Sequence, residues 1–247
     1  MVATHHQRQA RPACPADALV RTVVVTGGTK GIGAAVARRF TDAGDRVVAL
    51  NHTDLDVTDE DAVRSVLDGI RVDVLVNNAG ISASAPVHRT SVEQWRAQLE
   101  VNATGAFLCT RAVLPGMRER DSGRIVTVAS TVGLVGTAYT AGYTASKHAA
   151  LGLMRSVAAE VAGTGVTANA VCPTFVRTDM TARSAAKVAE VTGKSEQDSV
   201  ASLAALSPLG RLLEPEEVAF AVAFLASPDA GAINGQTIVL DGGGVQT

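Results

Sequence analysis

Aromatic residues are scarce in this sequence: one Trp, two Tyr and five Phe, or 3% of 247 residues. A core must therefore be assembled from Val, Leu, Ile and Ala, the composition of parallel strands covered on both faces by helices. Cysteine is rarer still. Cys14, Cys109 and Cys172 are odd in number and lack metal-ligand spacing, which argues against a disulfide framework and suits a reducing compartment. No apolar run approaches the ~20 residues of a membrane-spanning helix. Residues 1–20 contain His5, His6, Arg8, Arg11, Pro12 and Pro15 but no apolar block of signal-peptide type, so they are expected to form a disordered leader on a cytoplasmic protein. The formal net charge of −2 leaves no basic excess with which to bind nucleic acid or an anionic membrane.

What is present is order. Short β-branched runs at Thr22–Val25, Arg46–Leu50, Val72–Val76, Arg124–Val128, Thr167–Val171 and Thr237–Leu240 alternate with patterns of helical period. The latter include Ile32–Ala43, Val92–Met117, Tyr143–Ala162 and Pro215–Ala226, with Thr58 and Ser91 as expected N-caps. Strand–helix alternation of this kind predicts an α/β fold with a doubly wound, Rossmann-type parallel sheet in one domain over residues 21–247. Between Leu50 and Asp56 only five residues intervene, too few for a crossover with its helix. The edge strand beyond the second one is therefore expected to be missing or vestigial, leaving six main strands.

Two patterns carry chemistry. Thr26-Gly27-Gly28-Thr29-Lys30-Gly31-Ile32-Gly33 follows the first strand and opens the first helix. Glycines there permit a tight turn and close approach of a pyrophosphate, and the helix N-terminus offers free N–H groups. Tyr143 and Lys147, one helical turn apart, share a face, so an ammonium lies near a phenol and should lower its pKa. That pair suits proton donation to a nascent alkoxide. It follows Ser130 at a strand end, where open α/β sheets bind ligands. A serine-nucleophile reading fails because Ser130 is not in a Gly-x-Ser-x-Gly elbow and none of the five histidines is an evident partner. His148 should point away from the face of Lys147. No metal-ligand cluster is evident.

With these go Asn77-Asn78-Ala79-Gly80, Asn102 in Val101-Asn102-Ala103-Thr104-Gly105, and Asn169-Ala170-Val171-Cys172-Pro173. In this order and spacing the motifs resemble those of the short-chain dehydrogenase/reductase family, in its short single-domain branch, from about residue 21 to the C-terminus. The resemblance implies an oxidoreductase that transfers hydride between a nicotinamide and a ketone or secondary alcohol. It further implies Tyr143 as the acid/base, Lys147 as the group that depresses its pKa and bonds the nicotinamide ribose, Ser130 as donor to the substrate oxygen, and Asn102 as holder of a relay water. Cofactor contacts carried over are Thr26, Gly27, Thr29, Lys30, Gly31, Ile32, Gly33, Asn51, His52, Asp56, Val57, Asn78, Ala79, Gly80, Tyr143, Lys147, Pro173, Val176 and Thr178. Pro173-Thr174 departs from the family's usual Pro-Gly.

NADP is favoured over NAD, because Asn51 stands where NAD-preferring relatives carry Asp and Lys30 where NADP-dependent ones carry a basic residue; Asp54 is the group that could reverse this. Residues 179–213 are expected to form a mobile lid of mixed character, and Tyr139 a wall of the substrate pocket. The resemblance runs towards 3-oxoacyl-carrier-protein reductases, implying a 3-oxoacyl or polyketide-like substrate and a homotetramer. An NAD-linked secondary alcohol dehydrogenase and a non-catalytic dinucleotide sensor are the alternatives. An enoyl reductase would space its Tyr and Lys more widely.

Overall fold

In the computed structural model, which describes residues 20–246, six strands form one parallel sheet: β1 Thr22–Thr26, β2 Arg46–Leu50, β3 Val74–Asn77, β4 Gly123–Val128, β5 Val166–Pro173 and β6 Thr237–Leu240. Their spatial order is β2-β1-β3-β4-β5-β6. The leader expected at residues 1–20, apart from Val20, and Cys14 with it, lie outside the described residues. All six expected strands are found, and no seventh follows β2. Residues 51–59 instead make two turns before helix α2, Glu60–Leu67. The turn is self-contained: Asn51 Oδ1 accepts from Thr53 N, Thr53 Oγ1 and Asp54 N, while Asp54 returns a carboxylate oxygen to Asn51 N at 3.0 Å.

Side chains alternate along each strand, so each of the two faces receives its own helices. Val23 and Val25 face one core with helix α1 (Gly31–Asp42) and helix α8 (Pro215–Leu225), supplied by Val36, Phe40, Val218, Val222 and Leu225. Val24 and Leu75 face the other, with α2, helix α4 (Gly105–Glu119) and helix α5 (Ala141–Glu160), supplied by Leu67, Cys109, Met117, Leu151 and Met154. Helix α3, Val92–Leu99, leads into α4, and between them Glu100–Thr104 form a π turn. The single expected helix over 92–117 is thus interrupted at Asn102. Helices α6 (Asp179–Thr192) and α7 (Glu196–Ala204) make up the segment expected as a lid.

One expected cap is displaced. Ser91 caps α3 by accepting from Gln94 N. At α2, however, Asp59 is the cap, accepting from Asp61 N and Ala62 N, while Thr58 donates its hydroxyl to Asp56. The carboxylate of Asp59 reaches two free N–H groups of the first turn, whereas Thr58 is drawn back by Asp56 Oδ1.

The strand order reverses between β1 and β3, which connect outwards in opposite directions, so a crevice opens beyond their C-terminal ends. Every element considered below converges on that end.

Candidate active site

The glycine turn occupies the crevice. Gly27 and Gly31 have φ of +63° and +50°, a left-handed backbone that strains other residues. A Cβ on Gly33 would lie 2.1 Å from the Gly27 carbonyl oxygen, so helix and turn are packed backbone to backbone. Asn78, just past β3, fastens the turn by donating Nδ2 to the carbonyls of Thr26 and Gly27 at 2.9 and 3.0 Å. Thr26 Oγ1 accepts in return from Asn78 N and Ala79 N. Helix α1 begins at Lys30 with no side-chain cap and no acidic residue in its first turn. Its leading N–H groups therefore stay available to an anion, with the positive end of the helix dipole behind them. A glycine cradle with uncapped donors fits a dinucleotide pyrophosphate.

Thr178 joins this site from the far side of the sheet. It caps α6, and its Cγ2 would meet a Cβ on Gly31 at 3.0 Å. Pro173 ends β5, and buried Val176 pairs with Leu213. Thr29, Lys30 and His52 are exposed around the turn, and Ile32 is half-buried beside it. Asn51 is less free than the sequence suggests, since its side-chain oxygen is spent within its own loop. Asp54 is exposed, with one carboxylate oxygen accepting from Asn51 N. Asp56, held below the usual carboxylate range by hydrogen bonds from Thr58, and Val57, packed against Gly105, follow that loop.

The reacting groups lie on β4 and α5. Ser130, just after β4, is buried, with its hydroxyl 3.4 Å from the Pro173 carbonyl. Lys147 is buried too, and its ammonium donates to Val128 O at 2.9 Å and lies 5.7 Å from the centre of the Tyr143 ring. His148 points away, as expected: it is exposed, with Nδ1 against Thr144 O. Gly80 binds the two halves of the site together, because a Cβ there would lie 3.1 Å from Asn102 Oδ1 and 3.5 Å from Lys147 Nζ.

Electrostatically the pair behaves differently from the expectation. Burial pushes the Tyr143 phenol up to about 12, against the lowering effect of the Ser130 hydroxyl. Burial likewise brings the Lys147 ammonium down to about 8, opposed by the Cys172 thiol. Desolvation, which penalises the charged form of each group, dominates both shifts. At neutral pH the phenol holds its proton and the amine is mostly charged.

Asn102 is tied to both the loop after Gly80 and α5. Its Nδ2 donates to Ile81 O and Ser146 Oγ, both at 2.9 Å, and its Oδ1 accepts from Ile81 N at 2.8 Å. Both ends of the amide are thus bonded within the protein, and Oδ1 keeps a second lone pair. The π turn around it shifts the helical bonding register, a feature common at functional sites. Tyr139 is 65% exposed, with φ of +68°, and its carbonyl accepts from Ala85 N. It stands at the rim, tied to the loop after Gly80. The sequence reading missed Gln98, a buried amide on α3 that touches this same loop.

A family model described as enoyl-(acyl carrier protein) reductase matches residues 27–244. The chain belongs to the short-chain dehydrogenase/reductase family. It is an NAD(P)-dependent oxidoreductase acting on carbonyl and alcohol groups. Among its relatives is the 3-oxoacyl-[acyl-carrier-protein] reductase FabG of Vibrio cholerae, 37% identical over 246 residues, which span 90% of this chain and 96% of that protein. The acetoacetyl-CoA reductase of Rhizobium meliloti is 38% identical over 246 residues, 90% of this chain and 98% of the relative. A solved structure of an actinorhodin polyketide ketoreductase variant with NADPH superposes with a TM-score of 0.84 at 33% identity, covering 91% of this chain and 97% of the other. The short-chain dehydrogenase/reductase resemblance read from the motifs therefore holds. Among the described residues no cluster of three or more His, Cys, Asp or Glu side chains could hold a metal, and no helix is long and apolar enough to cross a membrane.

Proposed function

We propose that this NAD(P)-dependent ketoreductase reduces a 3-oxoacyl thioester or polyketide-like ketone with NADPH. The observation that carries the reading is the meeting of Ser130, Tyr143 and Lys147 at the end of β4, with the Lys147 ammonium 2.9 Å from Val128 O and 5.7 Å from the centre of the Tyr143 ring, an arrangement suited to proton donation to a carbonyl oxygen. The names of the relatives, two acyl-thioester reductases and a polyketide ketoreductase, support the substrate class.

In this reading the glycine turn, Asn78, Ala79, Gly80, Val176 and Thr178 hold the dinucleotide, whose nicotinamide supplies the hydride when bound. Ser130 donates a hydrogen bond to the substrate carbonyl oxygen and steadies the charge that develops there. Tyr143 passes its phenolic proton to that oxygen, and the Lys147 ammonium beneath the ring stabilises the phenolate left behind. Asn102, which donates to Ser146 Oγ on α5, would hold a water linking Lys147 to solvent. Tyr139 and the α6–α7 segment border the substrate, with α6–α7 as a mobile lid.

NADPH is favoured over NADH by the exposed Lys30 at the mouth of the turn and by Asn51, rather than an acidic residue, at the first position after β2. A homotetramer is the expected assembly. Titration with NADPH and NADH, followed by acetoacetyl-CoA, tests the reading. Tighter NADPH binding and thioester-dependent oxidation are expected; NADH preference or absence of turnover would overturn it.

A further inference from the structure

Helix α3 buries one residue, and it is a glutamine. Gln98 is 1% exposed where amphipathic packing calls for an apolar side chain. A buried amide persists when both of its polar ends are satisfied, and these are: Oε1 accepts from Ala83 N at 2.9 Å, and Nε2 donates to Gln94 O at 3.2 Å.

Both contacts bear on the site. Gln98 and Asn102 lie one helical turn apart and grip the loop after Gly80 at alternate residues, Asn102 at Ile81 and Gln98 at Ala83. Tyr139 O takes the next alternate N–H, that of Ala85, at 2.8 Å. Three acceptors thus fix an extended segment between Lys147's neighbour Gly80 and the exposed rim tyrosine. On its other side Gln98 supports α5: a Cβ on Gly142 would fall 2.6 Å from Nε2. The glycine immediately before Tyr143 therefore rests on the glutamine amide.

We infer that Gln98 is a positioning residue, setting both the 81–85 wall of the substrate cleft and the height of the α5 turn that carries Tyr143. An apolar side chain of the same length would fill the space but leave the half-buried Ala83 N–H without its side-chain acceptor, so the loop would loosen while the fold survived. The inference rests on the proposed function only in taking Tyr143 and this loop as the reacting site.

The test compares Gln98→Met, which removes the acceptor, with Gln98→Glu, which keeps an oxygen in its place. Hydrogen exchange of the 81–85 amides is expected to quicken on the order of tenfold or more in Gln98→Met. Its kcat/KM for acetoacetyl-CoA should fall by a similar factor, with NADPH affinity held within about twofold. Gln98→Glu should recover most of both losses. Unchanged exchange in Gln98→Met, or a Gln98→Glu variant as impaired as Gln98→Met, overturns the inference. If wild-type protein does not turn over the thioester, the proposed substrate fails while the exchange comparison still decides the role of Gln98. Should Gln98→Met not fold, Gly142→Ala, which presses a methyl against Nε2, must quicken the same amides; if it does not, the inference fails.

Discussion

Lys147 donates its ammonium to the main-chain carbonyl of Val128 at 2.9 Å while lying 5.7 Å from the centre of the Tyr143 ring. The charge is therefore anchored to the end of β4, the strand that also delivers Ser130, so donor, acid and supporting cation share one rigid frame. Burial lowers the lysine to about 8 and raises the tyrosine to about 12.

A pH profile follows from these directions. Lys147 is charged below about 8 and neutral above it, so support for the nascent phenolate is present at low pH and lost as pH rises. Reductive kcat/KM should be flat near neutrality and decline above about 8. Tyr143 keeps its proton over the same interval, so the limb belongs to the lysine. Lys147→Met should abolish the limb and lower the plateau by roughly 10²–10⁴. A wild-type profile with no break between about 7 and 10 would contradict the assignment.

Gly33→Ala tests the cradle. The added methyl would meet the Gly27 carbonyl oxygen at 2.1 Å and its carbon at 2.9 Å, both backbone atoms with little room to yield. A loss of roughly 1–3 kcal/mol is expected, with NADPH affinity falling as the turn is forced open. Thermal unfolding and a fluorescence titration measure the two effects; an unchanged titration would show that the turn does not contact the dinucleotide.

The cap of α2 gives a stability prediction free of catalysis. Asp59→Ala removes the acceptor for two first-turn N–H groups and should cost about 1 kcal/mol in denaturant unfolding. Thr58→Ala loses only an exchange with Asp56 and should cost less. The reverse ranking would restore Thr58 as the cap.

The sheet was legible because its strands are short apolar runs: Thr22–Val25 is buried on both faces and so uninterruptedly β-branched, and the half-buried edge strand Arg46–Leu50 still carries Val47 and Val48. The missing edge strand was legible from chain length alone, since no crossover fits between Leu50 and Asp56. Proximity of Ser130, Tyr143 and Lys147 was likewise readable from helical spacing and strand ends. Other features depend on neighbours distant in sequence. Thr58 lost its cap to Asp59 because Asp56 competes for its hydroxyl. The π turn at Asn102 arises where that amide bonds Ile81 and Ser146, partners 21 and 44 residues away. The raised phenol of Tyr143 comes from desolvation, which spacing does not report. Gln98 was passed over because a glutamine on a helix reads as surface until its burial is known.

The most direct measurement of the central claim is NADPH oxidation on addition of acetoacetyl-CoA, by the wild-type protein and by Tyr143→Phe. The account predicts turnover in the wild type and a loss of about 10²–10⁴ in kcat/KM in the variant, which lacks only the donated proton and still binds NADPH. Equal turnover by both proteins would contradict it.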